Sequence, residues 1–261
     1  MTSLQDRAAL LDDAAFAARP VPQLPPDQAL SIEDAYAIQA LVVTQRLARG
    51  ERLVGLKLGL TSKAKMKQVG VNEVILGQLT DAMHRDEGDS LDLGPFIHPR
   101  VEPEIAFVLR GPLPPDPTPE EALTCVEAVA PALEIIDSRY DGFRFDLGDV
   151  IADNASSAGY VLGREFPPET DIGDIAISIA MSDGPEETGS SAAILGHPLN
   201  ALAAAGRLSA ARGITTSAGD VVLAGAATAA IPLSAGAVIG ADFGPLGRID
   251  LRLSPPPPPE T

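Results

Sequence analysis

A strand-rich α+β body led by a helical N-terminal part is the fold this sequence predicts, on three observations. Apolar residues recur at helical spacing up to about residue 50 and at a period near two thereafter. Twenty-four glycines and 24 prolines punctuate the second part into short runs. The strand-like runs also lack a regular alternation with helices, which argues against a doubly wound parallel sheet. With 45% hydrophobic but only 4% aromatic residues, the interior has to be built from Ala, Val, Ile and Leu.

Residues 3–18 read as a first helix, stopped by the four prolines of PVPQLPPD at 20–27, an extended connector. A second helix spans 31–49. Ser31 and Asp34 make its capping box, Ile32, Ala35, Ile38, Leu41 and Val42 its apolar stripe, and Gly50 its stop. Strands are expected at 53–60, 100–109, 132–137, 159–163, 175–181, 220–224 and 247–253. Two helices interrupt them. One starts at Thr118 with Pro119 at its first position and Glu121 closing a capping box, and the other runs from near Pro198 to Gly213. The organisation is therefore a helical part at 1–50, a β-rich domain at 51–254 and a flexible proline-rich tail at 255–261.

The net charge of −17 speaks against nucleic acid and anionic membranes as partners, since phosphate neutralisation needs a basic face. Three Asp within the first 20 residues are unlike a signal peptide, and no apolar run is long enough to span a bilayer, so a cytoplasmic location is expected. The single cysteine, Cys125, allows no internal disulfide and has no Cys or His cluster beside it.

Three segments carry chemistry. In RVEPEIAFVL, alternation puts Glu102 and Glu104 on one face, as either a solvated polar face or a pair needing a cation. ALEIID at 132–137 embeds Glu134 in an apolar strand, where an acid needs a partner. Three carboxylates with no His or Cys nearby form a hard oxygen set suited to Mg²⁺ or Mn²⁺. In RLVGLKLGL, Lys57 shares a face with Gly55 and Gly59; it is either an edge-strand lysine or a cation reaching over an open floor toward a ligand. DVIADNASSAG gathers Asp153, Asn154, Ser156 and Ser157 in a loop, either a plain turn or a set of donors for an anion.

GLKLGLTSKAKM, HPRVEPEIAF, VAPALEIIDSRY and VIADNASSAGYVLG, in that order, resemble the hydratase/decarboxylase branch of the fumarylacetoacetate hydrolase superfamily from about residue 30 to 253. The resemblance implies a fumarylacetoacetate-hydrolase-like β-roll, Glu102, Glu104 and Glu134 as ligands of Mg²⁺ or Mn²⁺, Lys57 as the active-site lysine, and Asn154 and Ser156 in the substrate pocket. TSKAKMKQVG has no histidine where the hydrolases of the superfamily carry a His-Glu pair, which argues for a lyase. GSSAAILGHPLNAL and LAGAATAAIPL resemble the decarboxylases, whereas hydratases show GSxT-like residues in place of Gly225 to Thr228. The implied reaction is metal-dependent loss of CO₂ from 2-oxohex-3-enedioate, a dianionic 2-oxo acid, in the catabolism of aromatic compounds. The alternatives are hydration of 2-oxopent-4-enoate and, below it, a non-catalytic partner subunit. The branch further implies a homo-oligomer or a complex with the 2-oxopent-4-enoate hydratase.

Overall fold

The structure, a computed structural model, describes residues 3–62, 74–182, 184 and 186–256. Helix α1 (Leu4–Ala17) begins at a Ser3/Asp6 capping box. Helix α2 (Ile32–Ala48) begins at Ser31, whose hydroxyl accepts from the Asp34 N–H; the return bond expected of a full box is not among its contacts, and Ser31 Oγ donates to the Asp34 carboxylate instead.

Two sheets follow. The larger runs in the order β2 (Ile75–Thr80), β1 (Leu53–Gly59), β10 (Val221–Ala226), β5 (Arg100–Leu109), β6 (Val126–Ile136), β7 (Ser157–Leu162) and β3 (His84–Arg85), with β11 (Ile231–Pro232) also on β5. The smaller has the order β4 (Ser90–Leu91), β13 (Arg248–Leu253), β12 (Val238–Asp242), β8 (Ala176–Met181) and β9 (Glu186–Ser190). Among the described strands, only the β1–β10, β3–β7 and β4–β13 pairs are parallel.

Several elements differ from the expectation. The strand around Glu134 begins at Val126, six residues early, and carries Pro131 in its interior opposite Ile105. Proline is a poor strand signal because it gives no N–H to the ladder. A further helix, α4 (Leu147–Ala152), opens the segment expected to be a loop, capped by Asp146 and Asp149; at six residues it is too short to show a period. Helices α3 (Pro119–Leu123) and α5 (Pro198–Ala210) start as expected, and α5 ends ahead of Gly213. TSKAKMKQVG from Lys63 onward, and the tail from 257, lie outside the described residues.

Alternation on the long strands separates two interiors. Val101, Ile105, Phe107 and Leu109 of β5 and Val129, Leu133 and Ile135 of β6 pack with Ile177, Ile179, Ile239, Ile249 and Leu251 of the second sheet in the main core. The opposite face turns into the curl of the first sheet, where Ala106, Ala130, Ala132, Leu79, Met83, Leu223 and Tyr160 fill the bottom. Small residues are needed there because the curled sheet leaves little depth. A third cluster joins α1 and α2 to Ile75, Val150, Ile151, Ala152 and Ala155. Gln39 ties this layer down, donating from its side chain to both Leu76 O and Ile151 O at 2.9 Å. The helical layer thereby sets residues 154–156 over one end of the curled sheet.

Candidate metal centre and active site

That end gathers Lys57 from β1, Glu102 and Glu104 from β5, and Glu134 from β6. Glu102 and Glu134 are direct cross-strand partners, and Glu104 faces Ala132. One oxygen from each carboxylate lies within 4.8 Å of the others. All four side chains are buried: Glu104 and Glu134 are 0% exposed, Lys57 3% and Glu102 5%. The solvated-face reading of Glu102 and Glu104 is thus excluded.

Lys57 is not at a sheet edge, because β1 lies between β2 and β10. Its Nζ is 3.0 Å from Glu134 Oε2 and donates to Ala155 O at 2.9 Å. The glycine that makes room for its stem is Gly77, its cross-strand partner on β2; a Cβ there would come within 2.9 Å of Lys57 Cγ and Cδ. Gly55 serves another purpose: a Cβ at that position would sit 2.0 Å from Val221 O, so the β1–β10 approach requires its absence.

Glu104 is held by Gly225, whose N–H donates to Oε2 at 2.7 Å. A register shift in β10 between Leu223 and Ala226 frees this N–H from the ladder. Gly225 has φ +106°, and a Cβ on it would lie 2.0 Å from Thr61 Oγ1, so only glycine fits. The roles of Gly225 and Gly77 are not legible in the sequence, since each is explained by a neighbour from a distant segment. Positive φ leaves no mark in sequence beyond glycine itself.

Asn154, Ala155 and Ser156 take consecutive positive φ values of 50°, 53° and 59°. Such strain, of order 1–3 kcal/mol per residue, persists only where surroundings enforce it. Asn154 supplies the enforcement: its Oδ1 accepts from Gln78 N and its Nδ2 donates to Gln78 O, both at 2.8 Å. Asn154 is therefore occupied as a backbone clamp. Ser156 differs, with a buried hydroxyl that has no hydrogen-bond partner. Asp153 holds Arg139 through its carboxylate, and burial pushes its own pKa up to about 6 against the pull of that guanidinium.

The electrostatics call for a cation. Burial raises Glu104 well above the usual carboxylate range, and the neighbouring Glu134 and Glu102 add to the shift. Burial raises Glu134 as well, opposed by Lys57. Burial alone would lower the Lys57 ammonium, but Glu134, Glu104 and Glu102 together outweigh it and hold its pKa above the ordinary lysine value. With all three carboxylates ionised the site would carry two negative charges beyond the one that Lys57 offsets, so their burial disfavours ionisation unless a cation is bound. Glu104 Oε1 and Glu134 Oε1 are buried without a hydrogen-bond partner, as oxygens reserved for an ion would be. The donors are all oxygen, so the set fits a hard divalent cation.

No protein-family model matches the chain. It is 49% identical over 239 residues, 92% of this chain and 93% of the relative, to 4-oxalocrotonate decarboxylase from a Pseudomonas species. It belongs to the hydratase/decarboxylase branch of the fumarylacetoacetate hydrolase superfamily. Within this branch it is 36% identical to the 2-hydroxyhexa-2,4-dienoate hydratase of Comamonas testosteroni over 212 residues, 79% of this chain and 80% of that one. The solved 4-oxalocrotonate decarboxylase from Pseudomonas putida G7, complexed with magnesium and adipate, superposes with a TM-score of 0.91 at 35% identity, covering 96% of this chain and 97% of its own. Among the described residues no helix is long and apolar enough to cross a membrane.

Proposed function

We propose that this chain is a carboxy-lyase that removes CO₂ from 2-oxohex-3-enedioate, giving 2-oxopent-4-enoate or its dienol form, 2-hydroxypenta-2,4-dienoate. The observation that carries the reading is the buried triad of Glu102, Glu104 and Glu134 with Lys57 against it, in a chain whose nearer relatives bear the decarboxylase name. Glu102, Glu104 and Glu134 would hold Mg²⁺ or Mn²⁺. When bound, the ion supplies Lewis-acid stabilisation of the negative charge that builds on the 2-oxo oxygen.

The chain's own residues do the rest. As the C5–C6 bond breaks, its electron pair moves through C5, C4 and C3 onto the 2-oxo oxygen, and C6 departs as neutral CO₂. Lys57, an ammonium 3.0 Å from Glu134, places a positive charge beside that oxygen and has a proton to give to the dienolate. Ser156 offers its unengaged hydroxyl to the substrate, and Asn154 acts by holding the 154–156 turn in place. Ala106, Ala130, Ala132 and Leu223 exclude water from beneath the site, which strengthens each of these charge interactions.

We further infer that residues 51–254 form the catalytic unit, with 1–50 as a helical part and 255–261 as a tail. The enzyme works in the cytoplasm as a homo-oligomer or in a complex with the hydratase that consumes its product. Incubation with Mg²⁺ and 2-oxohex-3-enedioate, assayed for CO₂, is the direct test. Production of 4-hydroxy-2-oxopentanoate from 2-hydroxypenta-2,4-dienoate, with no CO₂ from the diacid, would favour the hydratase instead.

A further inference from the structure

The row of charged side chains on β5 does not end at the triad. Alternate residues on a strand share a face, so Arg100 stands in line with Glu102 and Glu104. It pairs across the sheet with Ile136 as Glu102 pairs with Glu134. Burial relaxes along the row, from 0% exposed at Glu104 to 5% at Glu102 and half-buried at Arg100. The row therefore leads from the triad toward solvent.

Among the described residues at this end, Arg100 is also the uncommitted cation. Its guanidinium carbon lies 4.3 Å from the centroid of the Phe143 ring, and among the described residues it has no ion pair or hydrogen bond through its side chain. Among the described residues, the two other cations at this end are engaged, Lys57 by Glu134 and Ala155 O, and Arg139 by Asp153. A guanidinium resting on an aromatic ring keeps its N–H fork available to a carboxylate.

We propose that Arg100 is a specificity residue that receives the distal carboxylate of the substrate and so selects 2-oxo diacids over 2-oxo monoacids of the same length. The proposal rests on the reading above, in which the 2-oxo acid end of the substrate lies at the triad. The reach matches: the step from residue 102 to 100 is about 6.6 Å along the strand, and the extended chain from the 2-oxo carbon to the distal carboxyl carbon spans about 5 Å. Because that carboxylate leaves as neutral CO₂, the contact is stronger before bond breaking than during it. Arg100 thus aids binding and does not accelerate the chemical step.

The test is equilibrium binding to the Mg²⁺-loaded protein by calorimetry, using 2-oxohexanedioate and 2-oxohexanoate, saturated compounds that lack the alkene the reaction needs. The wild type should bind the diacid at least about tenfold more tightly. Arg100→Met should weaken the diacid by about 10- to 100-fold, the range for a charge-assisted pair, and leave the monoacid unchanged, with Arg100→Lys recovering part of the loss. Arg100→Gln repeats the measurement with a polar end. With 2-oxohex-3-enedioate, KM should rise while kcat holds or increases. Equal binding of the two acids by the wild type, or parallel weakening of both in the variants, would overturn the role of Arg100. Failure of the wild type to bind either acid would instead remove the placement at the triad, and the proposal with it.

Discussion

Lys57 Nζ stands 3.0 Å from Glu134 Oε2, although β10 and β5 lie between the strands that carry them. Three strand spacings in a flat sheet amount to about 14 Å, beyond the reach of the two side chains. The pair exists because the sheet curls, and the curl is what turns four separately encoded charges into a site.

Lys57→Met retains the stem over Gly77 and removes the ammonium. With metal present, kcat should fall about 10²-fold or more, the size typical of losing one preorganised electrostatic contributor. In the metal-free protein the same change leaves the carboxylates without their cation and should cost roughly 3–5 kcal/mol of stability. Denaturant unfolding with and without Mg²⁺, alongside kinetics, checks both halves; near-wild-type kcat would defeat the catalytic role.

Removing the ion with a chelator should abolish decarboxylation, and Mg²⁺ or Mn²⁺ should restore it. Since the ion binds the folded state, saturation at a hundred times Kd should add about 2.7 kcal/mol and raise Tm. Full activity in excess EDTA would contradict the metal assignment.

Glu104→Gln keeps an acceptor for the Gly225 N–H while deleting one negative charge from the buried cluster. The metal-free variant should melt at or above the wild-type temperature, because like-charge repulsion is relieved. Its Mg²⁺-induced rise in Tm should shrink, and an undiminished rise would argue against Glu104 as a ligand.

Gly225→Ala forces a methyl group onto Thr61 and moves the N–H that orients Glu104. Titration calorimetry should register weaker Mg²⁺ binding, accompanied by a lower Tm. Wild-type values for both would mean that the bulge in β10 after Leu223 relaxes freely and does not position the carboxylate.

The strand pattern by itself was enough to place Glu102 and Glu104 on a common face and Glu134 within an apolar run, because backbone alternation is local and needs no knowledge of neighbours. Helix starts at Ser31 and Thr118 were readable for the same reason, a cap being a contact three residues long. What the local pattern left open was the environment of each charge. Whether the glutamates met solvent or a cation, and whether Lys57 lay at an edge or in the interior, depended on strand order, which places β1 beside β10 and brings residue 57 to residue 134. The loop supports were beyond reach as well. Ala155 contributes only a carbonyl, which every residue has, and Gly77 and Gly225 matter through atoms of Lys57 and Thr61 brought close by folding. Sequence determines which side chains share a face; only the curl of the sheet decides which faces meet and exclude water, and hence which charges need one another.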